Sequence, residues 1–357
     1  MITRELDTRT VTDLVADATA APSMHNAQPW RFRFLTEERI LLLRADLGRA
    51  MRRTDPDHRA LHIGCGAALF NLRVAAAHAG LSPLVRLLPD PGDPQALAAV
   101  HLTAAHEAAA RAAEHGGRTP PEPGLARLYP AIHRRHTSRY PFDDRDVPED
   151  VRSRLRAAAA EEEAELSFPG AWHLDTVLEL VRDAESRDTL DAGGREDLER
   201  WTRLGPEADV AVDGVPEYAF GPRRREGRAP RRDFAGRRPV ADRGTTAFEA
   251  SPHLALLYTR GDTALDWLRA GQALEHVLLE ATTAGLASSL TSHPLENADL
   301  RTLARDPVSG RGHVQMVLRL GYGPNGPTTP RRPVRDVLDI GPTPPVAPDR
   351  SRVRMSP

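Results

Sequence analysis

The 357-residue sequence contains no lysine, so its 48 basic residues are all arginine. Every cationic contact with a phosphate or carboxylate must then be made by the planar guanidinium group, which binds such anions in bidentate geometry. A single cysteine, Cys65, excludes an internal disulfide. Neither residues 1–10 nor any later stretch has an uninterrupted apolar run of membrane-spanning length. We therefore expect a cytoplasmic protein with no membrane partner.

The sequence also has little net charge and few aromatic residues. Its formal charge is -2 and only 5% of its residues are aromatic. Such a chain has no overall electrostatic attraction to nucleic acid and few side chains on which bases could stack, so we expect no nucleic-acid partner. The length favours two domains or one large duplicated unit.

Hydrophobic spacing predicts an α+β protein. Apolar and charged residues alternate on both sides of a short polar turn after Trp30, which is typical of a hairpin. Helices are predicted over residues 9–20, 58–79, 151–164, 172–190 and 264–284. Strands are predicted over residues 30–34, 39–44, 84–88, 97–102, 253–259 and 313–321.

Two Ala/Leu-rich helical segments resemble each other. Residues 58–81 and 267–286 both end in Ala-Gly-Leu, which predicts two copies of one α+β unit. The Gly-Cys-Gly at 64–66 lies inside the first helix with no strand before it, so close helix–helix packing is favoured over a dinucleotide-binding loop. Cys65 is accordingly expected to be a packed apolar residue.

The repeat and the composition together predict the domain organisation. Residues 1–125 form the first half, ending in a linker rich in Ala, Gly, Pro and Glu, and residues 126–345 form the second half. The second half carries an inserted, lid-like segment over about 193–248. A Pro-rich, disordered tail covers residues 346–357.

An arginine-rich stretch lies within the inserted segment. Residues 223–238 contain eight arginines and two acidic residues, with Gly and Pro between them. A solvated mobile loop is one interpretation and a lid over an anionic ligand is another. Nucleic-acid binding is a third, although the rest of the chain balances this charge.

Three polar stretches carry the candidate chemistry. The segment RHTSR places Arg135 and Arg139 on either side of the Thr137 hydroxyl, and alternate residues of an extended segment point the same way. Two guanidinium groups and a hydroxyl suit a phosphate group. Arg331 and Arg332, after a Gly/Pro-rich turn, are candidates to close the same cradle. With no Walker loop in the sequence, these residues favour a phosphorylated cofactor over nucleotide hydrolysis; the alternative is that they are ordinary surface arginines.

The third polar stretch, PSMHNAQPW at 22–30, places two amide side chains in the predicted connection between a helix and a strand. Asn26 and Gln28 offer donors and acceptors that suit the edge of a heterocycle such as the pyrimidine end of a flavin. In the structural alternative, Ser23 caps a helix, Asn26 bonds its own backbone and Trp30 belongs to the core. His25 within the stretch is either exposed to solvent or a participant in substrate protonation. His58 and His62 have helical i, i+4 spacing, but no third metal ligand is evident.

Taken together, these motifs resemble the FMN-dependent nitroreductase family, and most closely its Acg-like branch of double-length, single-chain proteins. PSMHNAQPW is similar to the family's P-S-x-x-N-x-Q-P-W signature, and RHTSR to its R-x-S/T-x-R/K phosphate motif. The LGY followed by PRRPVRDVL resembles its C-terminal strand and arginine-bearing extension. The resemblance covers roughly residues 10–340.

The resemblance implies a duplicated nitroreductase-like fold with two mixed or antiparallel sheets flanked by helices. It also implies an internal pseudo-dimer with one intact FMN site, because the P-S-x-x-N loop occurs only in the first half and the phosphate motif only in the second. No side-chain acid or base needs to be assigned, because the flavin carries the chemistry. The residues implied to bind FMN are Pro22, Ser23, Met24, Asn26, Gln28, Arg135, Thr137, Arg139, Leu286, Ala287, Ser288, Arg331 and Arg332. Among these, Gln28 is expected to brace the loop.

The implied function is transfer of hydride or electrons from NAD(P)H through the flavin to a nitroaromatic, a quinone or a related small molecule. Two other functions stay open: an FMN-binding protein that sequesters flavin with little turnover, and a biosynthetic tailoring dehydrogenase. An internal pseudo-dimer needs no partner to complete its site, so a monomer or a weak homodimer is expected.

Overall fold

The computed structural model describes residues 6–105 and 124–342, apart from residues 191, 237, 307, 309 and 311. Most of the predicted linker and all of the predicted tail lie outside the described residues. The helices are α1 Thr8–Thr19, α2 Arg59–His78, α3 Tyr129–Ile132, α4 Glu149–Glu161, α5 Ala171–Leu190, α6 Ala192–Arg200, α7 Pro206–Val210, α8 Ala264–Thr283, α9 His293–Glu296 and α10 Ala298–Leu303. The strands are β1 Trp30–Leu35, β2 Ile40–Ala45, β3 Leu81–Leu87, β4 Ala96–Ala104, β5 Glu165–Ser167, β6 Thr202–Arg203, β7 Val215–Pro216, β8 Arg223–Glu226, β9 Thr245–Ala247, β10 Leu254–Thr259, β11 Ala287–Thr291, β12 His313–Gly321 and β13 Leu338–Gly341.

The first sheet has five strands in the order β13-β1-β2-β4-β3. The predicted hairpin of β1 and β2 is confirmed, with Phe32 opposite Leu43. Trp30, Phe32 and Phe34 are buried while the alternating arginines are not, as a half-buried strand requires. The last strand, β13, pairs in parallel with β1, so the C-terminal end of the described chain lies in the sheet built by the N-terminal part.

The second sheet has four antiparallel strands in the order β11-β12-β10-β5. Every residue of β10 is buried, and so is all of β12 except its first residue. A continuous apolar run suits a strand covered on both faces. Together the two sheets and their flanking helices confirm the predicted α+β class.

Helices α2 and α8 cross at the centre of the molecule, where their backbones touch. A Cβ atom placed on Gly66 would lie 2.9 Å from the Cα of Gly271, and one placed on Gly271 would lie 2.8 Å from the Cα of Gly66. Only glycine permits such an approach. Around the crossing, Leu268 of α8 enters the core of the first sheet and Ile63 of α2 enters the core of the second. The interpretation of Gly-Cys-Gly as a packing motif is therefore confirmed.

The same two helices end in the same way. Gly80 follows α2 with φ of 77° and Gly285 follows α8 with φ of 76°, a left-handed conformation that favours glycine after a helix. A leucine then begins or directly precedes the next strand. The shared ending agrees with the sequence repeat, and the duplication itself stays a prediction.

Helix α2 is long and apolar enough to cross a membrane when judged by length and composition alone, although Arg73 interrupts its apolar run. In the structure, 89% of the apolar window is buried inside the protein. The helix also carries Arg59 and Arg73, both buried and hydrogen-bonded to the second half of the chain. Its apolar character is accounted for by its position in the core.

Residues 193–248 fold into a distinct segment, which we call the lid segment. It has a small core of its own around Val215, Phe220 and Phe234. Phe234 and its neighbour Ala235 are buried, although they lie in the arginine-rich stretch. The structure thus favours a packed lid over a solvated loop for this stretch.

Candidate active site

The loop at residues 22–28 is held in a strained conformation. His25, Asn26 and Gln28 all have positive φ, at 49°, 56° and 52°. Non-glycine residues in this region cost on the order of 1 kcal/mol or more each, and such strain persists only where the surroundings enforce it. Part of that enforcement comes from the Gln28 N–H, which donates to Ser23 Oγ at 2.9 Å. Ser23 therefore braces the loop and does not cap the short helical turn that follows it.

Remote segments clamp the same loop from two sides. Asn26 Nδ2 donates to the Gly214 carbonyl of the lid segment at 2.9 Å and to the Pro330 carbonyl at 3.0 Å, and Asn26 Oδ1 accepts from Arg331. Gln28 Nε2 donates to the Val212 carbonyl, also in the lid segment, at 2.9 Å. The two amides are thus engaged with protein groups.

Arg135 and Arg331 meet at the carboxyl-terminal end of α1. Arg135 donates to the Ala20 carbonyl at 3.1 Å, and Arg331 donates to the Thr19 and Ala20 carbonyls at 2.8 and 2.9 Å. Carbonyl groups at a helix end are unsatisfied within the helix and attract cations. The RHTSR segment and the segment that contains Arg331 therefore meet just before the PSMHNAQPW stretch begins.

The RHTSR segment is also fixed against the second sheet. Thr137 forms a parallel bridge with Ser288, and the Ser138 N–H donates to the Ser288 carbonyl at 2.8 Å. Ser138 Oγ donates to the Pro324 carbonyl at 2.7 Å. These contacts attach the segment to β11 and to the turn after β12.

A cavity of about 120 Å³ lies among these segments. Its walls come from the 22–28 loop, the amino-terminal end of α2, the RHTSR segment, the end of β11 with the residues after it, and the lid segment. Among the described residues, its lining includes seven arginines and no carboxylate. These arginines are Arg59, Arg135, Arg139, Arg231, Arg232, Arg319 and Arg331.

Burial and repulsion between neighbouring arginines lower the pKa of two of these side chains, Arg139 and Arg331. Burial, with repulsion from Arg135, lowers the pKa of Arg331 to about 9. Burial, with repulsion from Arg231, lowers the pKa of Arg139 to about 10. Both remain charged at neutral pH, and within the described chain no carboxylate lies within 4 Å of either. The cavity is suited to an anion.

One buried carboxylate lies behind the Arg135 and Arg331 pair. Glu275 of α8 is fully buried and lies 3.3 Å from Arg135 Nε. Burial raises the pKa of Glu275 to about 7, against the opposing effect of Arg135. Its charge therefore compensates the two arginines only in part at neutral pH.

Two buried histidines face the same cavity. Within the described chain, neither ring nitrogen of His25 has a hydrogen-bond partner. The same is true of Nε2 of His293. Burial and nearby arginines hold the pKa of His25 well below its usual value, and the pKa of His293 at about 3. Phe234 of the lid segment packs edge-on against His25, with 5.6 Å between ring centres. His25 is thus a neutral, buried group and is not exposed to solvent.

Most of the predicted site residues come together here. Those that line the cavity are Pro22, Ser23, Met24, His25, Asn26, Arg135, Thr137, Arg139 and Arg331. Arg139 is turned toward the lid segment: it donates to the Ala219 carbonyl at 3.1 Å and lies over the Phe234 ring. Their roles toward a cofactor stay predictions.

Five predicted residues lie outside the lining of this cavity. Leu286 belongs to the core of the second sheet, and Ala287 and Ser288 are buried at the start of β11. The lining begins one residue later, with Ser289, and continues to His293. Gln28 accepts from the Arg332 N–H at 2.8 Å, and the Arg332 guanidinium bonds to backbone and Asp46, so both brace the loop.

Sequence reasoning missed Arg59 and Arg319, and it identified Arg231 and Arg232 only as members of the arginine-rich stretch 223–238. Arg319 lies in the fully buried part of β12, where it pairs with Glu249 at 2.8 Å. Arg59 begins an apolar helix and donates to the Gln315 carbonyl at 2.8 Å. A charge within an otherwise apolar element is a signal that could have identified both. The positions of Arg231 and Arg232 have no such local signal.

The structure also shows the surroundings of Cys65 and of the His58 and His62 pair. Cys65 is fully buried, and its thiol donates to the Pro29 carbonyl. His62 Nδ1 lies 2.6 Å from the His58 carbonyl. Within the described residues, no cluster of three or more His, Cys, Asp or Glu is placed to hold a metal.

Comparisons with known proteins place the chain in a family. The model of the Nitroreductase family matches residues 132–322. The Mycobacterium tuberculosis (strain H37Rv) protein named "Putative NAD(P)H nitroreductase Rv3131" is 34% identical over 89% of this chain and 86% of its own length. From the same strain, "Putative NAD(P)H nitroreductase acg" is 29% identical over 89% of this chain and 92% of its own.

Solved structures give weaker matches. The crystal structure of "a putative nitroreductase" from Anabaena variabilis is 11% identical, covers 88% of both chains and has a TM-score of 0.47. That of the FMN- and NADPH-dependent nitroreductase NfnB from a Sphingopyxis strain is 19% identical, covers 59% of this chain and 97% of its own, and has a TM-score of 0.38. The assignment therefore rests on the sequence matches: the chain belongs to the nitroreductase family and is an oxidoreductase.

Proposed function

We propose that the protein binds one FMN per chain and uses it to pass electrons from NAD(P)H to a small acceptor such as a nitroaromatic compound or a quinone. The observation that carries this proposal is the cavity beneath the lid segment, whose described lining has seven arginines and no carboxylate. Arg135, Arg232 and Arg319 are paired with carboxylates that lie behind the lining. The positive charge that remains is costly to bury unless an anion compensates it. The names of the relatives agree with NAD(P)H as the reductant.

The residues present fit a phosphorylated cofactor. Arg135 and Arg331 lie side by side at the end of α1, and Glu275, 3.3 Å from Arg135 Nε, compensates their charge only in part. These two residues and Thr137 would hold the phosphate, since guanidinium groups match phosphate oxygens. The 22–26 loop and residues 289–293 would flank the ring system.

When bound, FMN would supply two-electron redox chemistry, and the protein would position the ligands and exclude water. His25 and His293 would serve as neutral hydrogen-bonding groups toward the acceptor, because their low pKa values keep them uncharged at neutral pH. The lid segment would exclude water by covering the cavity, with Phe234 against His25.

The covering lid segment also favours a second candidate function, flavin sequestration. Phe234 contacts both His25 and Arg139. Arg232 forms a bidentate ion pair with Glu296, with N–O distances of 2.5 and 3.1 Å. If these contacts keep nicotinamide out, the protein would hold FMN without turnover.

The visible spectrum of the purified protein tests both candidates. We expect a yellow protein with about one FMN per chain that is bleached by NADPH or NADH under anaerobic conditions. A flavin that dithionite bleaches and neither nucleotide does would support sequestration. A colourless protein that takes up no added FMN would refute both functions.

A matched pair of variants tests the placement of FMN. Arg135→Met removes a buried cavity arginine, whereas Arg134→Met removes its exposed neighbour. We expect FMN to dissociate at least about tenfold more readily from Arg135→Met, because hydrogen bonds between charged groups are strong. Equal FMN retention in the two variants would contradict this placement.

A further inference from the structure

The outer face of the lid segment has a second, open pocket. Its volume is about 470 Å³, and six arginines and two carboxylates are among the described residues that line it. The arginines are Arg195, Arg223, Arg224, Arg231, Arg232 and Arg243. The carboxylates are Glu185 and Asp233.

Only part of this positive charge is compensated. Arg232 is paired with Glu296, Arg243 lies 3.3 Å from Asp233, and Arg224 lies 3.9 Å from Glu185. Within the described residues, no carboxylate lies within 4 Å of Arg195, Arg223 or Arg231. The pocket therefore retains a positive charge.

Buried donors in this pocket also lack partners. The Arg243 side chain is only 9% exposed, and within the described chain neither its Nε nor its Nη1 has a hydrogen-bond partner. The same is true of the buried Nε of Arg231. Burial and repulsion from Arg243 lower the pKa of Arg231 to about 10. A buried donor without a partner is costly, so these groups favour a ligand with several acceptor oxygens.

The outer pocket adjoins the inner cavity. Arg231 and Arg232 line both, so this part of the lid segment forms a wall that the two pockets share. A long ligand that reaches the cavity with one end would bring its other end to the outer pocket. Phosphate groups provide the acceptor oxygens and the negative charge that the outer arginines match.

We propose that the outer pocket binds the phosphate groups of a nicotinamide dinucleotide, with the 2′-phosphate of NADPH as the preferred anion. The identity of the dinucleotide rests on the proposed function, whereas phosphate binding does not. The two extra negative charges of a 2′-phosphate interact with at least two uncompensated arginines. NADPH is therefore favoured over NADH.

Calorimetric titration of the FMN-loaded protein with 2′,5′-ADP tests this site without any turnover. We expect 2′,5′-ADP to bind at least about tenfold more tightly than 5′-AMP or inorganic phosphate, because several charged hydrogen bonds are added. Arg243→Gln should weaken that binding about tenfold and reduce the preference for NADPH over NADH by a similar factor. Its FMN content should stay unchanged, because Arg243 does not line the inner cavity.

Arg225→Gln is the matched control. Arg225 lies in the same strand as Arg223 and Arg224, is 66% exposed and does not line the pocket. Arg223→Gln is a second test variant, because Arg223 is exposed and its loss leaves no buried gap. Both test variants should bind 2′,5′-ADP more weakly than the Arg225→Gln protein.

Several outcomes would overturn the proposal. If the Arg223→Gln, Arg243→Gln and Arg225→Gln proteins bind 2′,5′-ADP equally well, the outer pocket is not the binding site. Equal affinity for inorganic phosphate and 2′,5′-ADP would show a site for free anions only. A colourless protein that still binds 2′,5′-ADP through these arginines would count against the proposed function and in favour of the phosphate site.

Discussion

Alanine at Gly66 should force helices α2 and α8 apart. The added Cβ atom would lie 2.9 Å from the Gly271 Cα and closer still to the Leu268 carbonyl oxygen. Carbon atoms in contact prefer separations of roughly 3.5–4.0 Å, so the shortfall against Gly271 alone is about 1 Å. Both obstructing groups are backbone, and neither can rotate away. The two helices must therefore separate by a similar distance.

The expected cost follows from opposing contributions. Overpacking a core costs roughly 1–3 kcal/mol, and a clash with backbone belongs at the upper end or beyond. Replacement of glycine by alanine inside a helix stabilises the helix by about 1 kcal/mol, which offsets part of this cost. We expect the free energy of unfolding to fall by about 2 kcal/mol net. At about 2.1 cal/mol/K of unfolding entropy per residue, a chain of this size loses roughly 1.3 °C per kcal/mol, so the melting temperature should drop by about 3 °C.

The same movement should weaken cofactor retention. Ile63 and Gly64 of α2 line the inner cavity together with Leu274 of α8, so separation of the helices widens it. Thermal unfolding and FMN release during dialysis measure the two effects on one preparation. Gly170→Ala is the control, since a Cβ atom there would have no neighbour within 4 Å.

The double variant sharpens the test. Gly271→Ala alone should cost about as much as Gly66→Ala, since its Cβ atom would lie 2.8 Å from the Gly66 Cα. One separation of the helices accommodates both methyl groups, so the double variant should cost clearly less than the sum of the two. A Gly66→Ala protein as stable as the Gly170→Ala protein would refute the reasoning, and so would strict additivity.

Three further predictions concern the inner cavity. The stability that neutral Glu275 confers should be present below about pH 4.5 and be lost as pH rises through its pKa of about 7. The free energy of unfolding should change by on the order of 3 kcal/mol over this range. Urea unfolding at pH 5 and pH 8 should therefore show a smaller pH dependence of stability for Glu275→Gln than for the parent protein. An equal pH dependence in the two proteins would exclude the raised pKa. Gln28→Leu should lower the free energy of unfolding by about 1–3 kcal/mol, because the buried Arg332 N–H loses its acceptor and the bond to the Val212 carbonyl is also lost. An unchanged urea midpoint would show that Gln28 does not brace the loop. Phe234→Ala should open the lid segment, and stopped-flow measurements should show faster anaerobic bleaching of bound FMN by NADPH; an unchanged or slower rate would show that Phe234 does not limit access.

Local patterns predicted the regular elements well. Alternation around the turn after Trp30 identified the β1–β2 hairpin, and helical spacing identified α2 and α8 to within a residue or two. Both signals are periodic and lie within one segment, so neighbouring residues suffice to detect them. By contrast, β13 is short and exposed, and it exists because its backbone pairs with β1 some 300 residues earlier.

The site was predictable in part, for the same reason. Motif similarity identified the 22–26 loop and Arg135, Thr137 and Arg331, all of which line the cavity. It assigned Leu286–Ser288 where the lining begins with Ser289, because the register of β11 against β12 decides which residues of β11 reach the cavity. The sequence identified the stretch that contains Arg231 and Arg232 but not these two residues individually, because one arginine among many has no distinguishing neighbours.

What the sequence by itself determined is therefore the set of elements, the exclusive use of arginine for positive charge, and the motifs that resemble a nitroreductase. Only the tertiary structure decided that the lid segment packs on the 22–28 loop, that Asn26 bonds to Gly214 and Pro330, and that an arginine-rich pocket lies on each side of the lid. Periodicity is set by residues adjacent along the chain. A cavity is set by segments more than a hundred residues apart, whose meeting depends on how whole helices and sheets pack.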